Sequence, residues 1–349
     1  MTDLTVLSYA EAIERTDGCR RHLLLGNGFS IAARRQFDYA PLLKSVTDLS
    51  DATAAIFRDH DTSNFEVVME RLVRAGEIAR TDGDDAALEA ALDQIEELKL
   101  HLISTIAHIH PTSGFSVSVD ESDSCRDFLK PFIGRNVIPH GIVFTTNYDL
   151  LLYWTVVKHL ASHSSGTLAF DDGFFGSKWK PKDMGNVKVS VVYLHGSLHI
   201  FEDDNGVSRV VWSENGNIIT QVRERLDAGR MPIFVSEGTP EAKSARIRRS
   251  AYLTEALNKF GFACKYKDAV LFTVGHSLVE QDDHIFRLVG SGTVKAVYLG
   301  AYGGLHSEDG ELALRRAAQL KRARANHPKW PLEVFLFDSR ECEIWSKRP

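Results

Sequence analysis

Apolar residues fall into two textures along this chain. Leu23, Leu24 and Leu25 form a short run that stops at Gly26, and residues 30–35 suit a helix, so 26–30 reads as a strand-to-helix turn. From about residue 40 to 135 the period is helical. Phe65, Val68, Leu72, Ala75 and Ile78 recur at spacings of three and four, and Leu88, Leu92, Ile95, Leu102, Ile106 and Ile109 do the same on a longer helix ending near His110. Asp84 or Asp85 suits the cap of that second helix. The polar stretch 111–124 reads as a loop.

After Gly141 the pattern changes to short runs rich in Val, Ile and Phe, at 142–145, 187–194, 232–236, 269–274, 294–299 and 332–337. Such runs suit parallel strands covered on both faces. Amphipathic stretches at about 240–260 and 309–323 lie between some of them. Strand and helix in repetition predict an α/β fold, a Rossmann-like doubly wound, mostly parallel sheet. Asn205-Gly206, between strand-like runs 200–202 and 207–212, adds a small β-hairpin. The expected division is a catalytic α/β domain, 1–35 with 136–349, and a helical insertion, 36–135.

Composition adds exclusions. With 349 residues, 44% hydrophobic and 25% charged, the chain has ordinary globular composition, and its net charge of −6 does not favour direct nucleic-acid binding. Two basic clusters, Arg246, Arg248, Arg249 and Lys321, Arg322, Arg324, read as solvated helix faces. The single cysteines, Cys19, Cys125, Cys264 and Cys342, form no C-x-x-C pair, so no metal is expected. No signal-peptide pattern and no membrane-length apolar run is found, and a cytoplasmic location is the expectation.

Four strand ends carry candidate chemistry. Gly26-Asn27-Gly28-Phe29-Ser30 opens a helix, where glycines admit a close phosphate and free N–H groups attract it. Ile31 stands where the dehydrogenase fingerprint needs its last glycine. Thr145-Thr146-Asn147-Tyr148-Asp149 ends a second strand, with Asn147 either a turn residue or a ligand contact, and Asp149 a helix cap, a site residue or both. His195, in Leu194-His195-Gly196-Ser197, ends a third. Gly275-His276-Ser277-Leu278 ends a fourth, and Asp282-Asp283-His284 starts the next helix, as a cap or a ribose ligand. Asp171, Asp172 and Phe174 form either a turn or a pocket rim.

In this order the four motifs resemble the sirtuin superfamily, where G-A-G-x-S, T-Q-N-x-D, L-H-G and G-x-S-L segments line one NAD pocket. The resemblance covers residues 20–30 and 140–337. Asn27 and Thr146 depart from its alanine and glutamine, and the four-cysteine zinc module of the deacylases is missing. These departures, with the helical insert, look like the bacterial sirtuin-like NAD hydrolases of antiphage defence. The resemblance implies NAD as substrate, without a metal, cleaved to nicotinamide and ADP-ribose or its cyclic form. It implies that Asn147 holds the ribose and the attacking water, His195 accepts a proton, and Asp149 orients the nicotinamide side. Gly26, Asn27, Gly28, Ser30 and Thr145 would lie along the dinucleotide, with Gly275, Ser277 and Asp283 toward the adenosine half. The alternatives are a silent NAD- or ADP-ribose-sensing module and a protein ADP-ribosyltransferase.

An enzyme that destroys free NAD needs a gate. The expected gate is the insert, at 63–109, packed against a homo-oligomeric subunit or a partner protein through solvent-reachable apolar positions such as Leu92 or Ile95.

Overall fold

A computed structural model describes residues 4–161, 168–211, 217–325, 327 and 329–345. Its strands, in chain order, are β1 (Val6–Leu7), β2 (Arg20–Leu25), β3 (Val143–Thr145), β4 (Phe174–Phe175), β5 (Lys178–Trp179), β6 (Val191–Tyr193), β7 (Ile200–Asp203), β8 (Gly206–Arg209), β9 (Ala269–Val274), β10 (Ala296–Ala301) and β11 (Glu333–Asp338). Seven form one parallel sheet in the order β1-β11-β10-β9-β2-β3-β6. Taking β2 as first, and setting aside the short edge strand β1, this is the Rossmann order, third-second-first-fourth-fifth-sixth. Every residue of β3, β6, β9 and β10 is buried, as expected for strands covered on both faces. The fold is α/β and doubly wound.

Register brings the strand ends to one level. Leu25 pairs with Thr145 and with Val274, and Thr145 pairs with Tyr193. The turns that follow therefore leave the sheet side by side. The order reverses between β2 and β9, and there the two turns touch through backbone. Gly28 N–H donates to Gly275 O at 2.8 Å, and a Cβ on Gly275, whose φ is +65°, would lie 2.4 Å from Phe29 N.

Between β2 and β3 run the helices Tyr39–Lys44, Asp51–Asp59, Phe65–Asp82, Asp85–Ile109 and Val119–Ile133. Asp84 caps the fourth, accepting from Ala87 N–H at 3.0 Å. A smaller antiparallel sheet, β4-β5-β8-β7, contains the expected hairpin; Trp212, placed on its second strand, lies outside the described residues.

Several expectations need correction. Within 111–124, expected to be a loop, Ser118 and Glu121 form a capping box that starts the helix Val119–Ile133. The stretch 232–236 is no sheet strand. It lies against the turn after β6, where Ser197 N–H donates to Ile233 O and Val235 N–H to His195 O, both at 3.0 Å. The stretch 240–260 is two helices, Pro240–Arg248 and Ala251–Ala263, because Ser250 caps the second. Arg324 is no solvated cation. It is buried and donates to the carbonyls of Val289, Gly290, Val294 and Trp330. Asp172 is buried in a turn and paired with Arg209, so the turn reading of 171–174 holds.

Three buried histidines outside the strand-end motifs serve as structural acceptors or packing groups. His22 Nδ1 accepts from Ile142 N–H at 3.1 Å and His110 Nε2 from Leu150 N–H at 2.9 Å, while His199 Nδ1 meets Ser197 Oγ at 2.9 Å. Burial pushes them down, to about 3 for His22 and His199 and about 4 for His110. Unfolded histidine binds its proton near pH ~6.5, so between there and these folded values the unfolded chain holds more protons. Stability contributed above pH ~6.5 is lost as pH falls, by up to about 1.4 kcal/mol per pH unit for each histidine. Urea unfolding at pH 7.5 and 5.0 should show the loss, with a shallower dependence in His110→Gln.

Candidate active site

The carboxyl ends of the parallel strands form the floor of a cavity of about 1040 Å³. Small-molecule and cofactor sites span roughly 300–1,000 Å³, so a dinucleotide-sized ligand is within reach. Gly26, Asn27 and Gly28 line it after β2, Asn147 and Asp149 after β3, His195 after β6, and Gly275 and Ser277 after β9. Tyr39, Asn64 and Glu66 close one side from the helical segment, and Ile344 and Trp345 approach from the C-terminal segment. Trp345 Nε1 donates to Phe29 O at 2.8 Å, which fixes that segment against the glycine turn.

Ser30 is a hub beneath the floor. It is fully buried, donates to Asp149 Oδ2 at 2.5 Å and accepts from Asn147 Nδ2 at 2.8 Å. Asp149 Oδ1 caps the following helix, accepting from Leu151 N–H at 2.8 Å. Burial pushes the Asp149 carboxyl upward, and the hydrogen bonds from Ser30 and Leu151 oppose this. Because the Ser30 hydroxyl proton is committed to Asp149, Asn147 must present its amine to Ser30 and its carbonyl elsewhere. Asn147 Oδ1 is buried and has no hydrogen-bond partner among the described residues. It is an unpaired acceptor on a residue that lines the cavity.

His195 belongs to a second cluster. Its Nε2 lies 3.1 Å from His284 Nε2 and 3.8 Å from Asp282 Oδ1. Asp282 Oδ1 accepts from Lys243 Nζ at 2.8 Å, and Oδ2 lies 3.2 Å from His276 Nε2. Lys243, fully buried, also donates to Glu66 at 2.8 Å, which ties the helix Phe65–Asp82 to the strand ends. Burial holds His195 well below the usual imidazole range, with Asp282 opposing the shift. The ring is a neutral base at neutral pH. Burial works against the Asp282 carboxylate, but Lys243 and the histidines hold it well below the usual range. Among the described residues, His195, Asp282 and His284 offer ligand atoms within 4.8 Å of one another, so they could hold a metal ion.

Other expected site residues lie elsewhere. Thr145 and Ser30 stand behind the cavity wall, Thr145 accepting from Asn147 N–H at 3.1 Å and so positioning that turn. Asp283 faces away and pairs with Arg316 at 2.6 Å, and its neighbour Asp282 lines the cavity instead. The N–H groups of the glycine turn are not free. Gly28 donates to Gly275 O, Phe29 to Gly26 O, and Ser30 and Ile31 to Asn27 O. The helix they open, Gly28–Ala33, has only six residues. Glu66, Lys243, Asp282 and His284 were missed as site residues. A carboxylate in a helical stripe gives no sign of its partner; adjacent carboxylates in Asp282-Asp283 differ only in which way the turn points them.

Residues 23–345 match the model of DUF4917, a domain of unknown function. The chain belongs to the DUF4917 family. That membership carries no activity with it, and no curated protein sequence matches this DUF4917 chain significantly. A solved structure of a Sir2 homologue, a mutant in complex with 2'-O-acetyl ADP-ribose, aligns over 90% of this chain and 97% of its own at 10% identity. The TM-score is 0.32, too loose a superposition to carry an argument. The Rossmann order of the DUF4917 chain rests on its own strand pairing.

Lys243 holds the carboxylates of Asp282 and Glu66 together, and its removal should be costly. Lys243→Met would leave two carboxylates facing each other in a buried site. Breaking a buried pair costs about 3–5 kcal/mol. Arg74→Met, which removes a solvent-exposed pair with Glu70, should cost less than about 1 kcal/mol. Urea midpoints of the two variants check the contrast.

Proposed function

We propose that this DUF4917 protein is an NAD hydrolase that cleaves the bond between the ribose and nicotinamide. The observation that carries the proposal is the unpaired Asn147 Oδ1 at the wall of a dinucleotide-sized cavity that His195 also lines. The sirtuin-like order of the four strand-end motifs supports the choice of NAD.

Nicotinamide leaves NAD uncharged, so departure needs no strong acid. It needs a positioned ribose, little bulk water, and a base for the incoming water. In this reading Asn147 Oδ1 accepts from a ribose hydroxyl or from the attacking water. The neutral His195 imidazole takes the proton released as water adds to the ribose carbon. The products are nicotinamide, ADP-ribose and that proton. Asp149 acts through Ser30, holding Asn147 with its carbonyl free, and is a positioning residue. Gly26, Asn27 and Gly28 let the dinucleotide pass close to the backbone at the junction of β2 and β9, and Gly275 and Ser277 face its adenosine half. Thr145 supports Asn147 from behind.

Treating 36–135 as an insertion into the catalytic domain gives the proposal a gate, through Glu66 and its bond to Lys243. A role in antiphage defence, with activity released by assembly, fits an enzyme that would otherwise exhaust the NAD of its own cell. Of the two apolar positions expected at an interface, Ile95 is buried at 8% exposure, and Leu92, at 50%, is the solvent-reachable one.

Pure protein incubated with NAD should release one nicotinamide for each NAD consumed, followed by chromatography. Binding of NAD without nicotinamide release, alone or assembled, would favour a sensing module. Asn147→Ala and His195→Ala should each slow turnover by on the order of 10²- to 10⁴-fold while circular dichroism shows the fold intact. Separately, Leu92→Glu should lower both the mass seen by light scattering and NAD turnover. An active monomer at nanomolar concentration contradicts the gate.

A further inference from the structure

We propose that His195, Asp282 and His284 form a binding site for a borderline divalent cation such as Zn²⁺, and that the bound ion withholds His195 from the reaction of the cavity. The second half rests on the hydrolase reading; the first does not.

The geometry comes first. Two imidazole nitrogens stand 3.1 Å apart, and a carboxylate oxygen lies 3.8 Å from one of them. Zinc bonds of about 2.0–2.1 Å place tetrahedral ligands on the order of 3.3 Å apart, so small side-chain movements suffice. Two imidazoles and one carboxylate suit Zn²⁺, Co²⁺ or Fe²⁺ better than Mg²⁺ or Ca²⁺, which prefer all-oxygen shells. His195 and Asp282 line the cavity, so the site adjoins it.

Charge points the same way. Two carboxylates, Glu66 and Asp282, face a single ammonium, that of Lys243, inside the protein. Lys243 at 2.8 Å already holds Asp282 Oδ1. A carboxylate oxygen accepts more than one partner, and Lys243 has Glu66 as a second anchor. Lys243 and His276 then orient the carboxylate, as outer partners do in metal sites. Metal binding asks both rings to carry their proton on Nδ1, and among the described residues no donor is aimed at the buried His284 Nδ1 to prevent it.

The test uses the full chain freed of metal by a chelator and titrated with Zn²⁺ by calorimetry, with Co²⁺ as an absorbance probe. One ion per chain is expected, with binding weakened at least about 100-fold in His284→Gln. Histidine side-chain NMR of the unaltered chain covers the case in which His284→Gln fails to fold, because two histidines should shift with one equivalent of Zn²⁺. Absence of binding overturns the site, as does binding unchanged in His284→Gln or no histidine shift. Nicotinamide release should fall along the Zn²⁺ binding curve; full binding with undiminished release overturns the inhibitory half. A chain that binds Zn²⁺ but never releases nicotinamide overturns the hydrolase reading and leaves the metal site standing.

Discussion

The glycine contact between the turns after β2 and β9 governs the geometry of the whole floor. A Cβ on Gly26 would lie 2.5 Å from His276 Cα, and one on Gly28 would lie 2.7 Å from Gly275 Cα. Those distances are closed to any other residue without moving backbone. In a doubly wound sheet the reversal of strand order leaves a crevice at this point. Here the turns close its base, one bonding to the other through Gly28 N–H and Gly275 O. The cavity lies over this contact, with Asn147, His195 and Asp282 also lining it. The same contact explains why the glycine turn offers so few free N–H groups. They hold the turn, so charge recognition has to come from side chains or from the far walls.

Two buried polar networks stand on this floor, and they differ in kind. The Ser30, Asn147 and Asp149 network sets direction: one hydroxyl proton, donated to Asp149, decides which end of the Asn147 amide faces Ser30. The His195, Asp282, Lys243 and Glu66 network sets charge. Its ammonium and the Asp282 carboxylate are removed from water, while Glu66 is partly exposed, so the Lys243–Asp282 pair is where an imbalance is costly. Burial keeps the His195 ring uncharged, and the neighbouring Asp282 carboxylate, itself tied to an ammonium, only partly offsets the loss of basicity.

Much of the fold was legible in the sequence. The Leu23–Leu25 run and the apolar runs at 142–145, 269–274 and 294–299 predicted buried parallel strands because hydrophobic residues on both faces leave few other arrangements. The helices at 65–82 and 85–109 followed from a stripe and a cap. Where sequence reasoning failed, the deciding information was tertiary. The apolar run 232–236 resembles a strand, but its partner is the turn after β6. Arg324 looks like its charged neighbours and is distinguished only by the carbonyls that surround it. In the site, Asn147 and His195 were legible because each ends a strand. His284 lies 89 residues beyond His195 in the chain, and no local pattern joins them.

Glu66 has a consequence that reaches past the site itself. It lies in the first turn of the helix Phe65–Asp82, whose N-terminus is fixed by Asn64 accepting from Glu66 and Val67 N–H groups. That helix packs along Asp85–Ile109, so the pair moves as one hairpin. The hairpin meets the strand-end charges through Glu66 and Lys243. A rigid-body shift that separated Glu66 from Lys243 would leave Asp282 as the only anion on a buried ammonium, and the balance around His195 would change with it. A hydrogen bond to a charged group is lost over little more than an ångström. The helical segment and the strand-end charges are therefore joined through the Glu66–Lys243 ion pair.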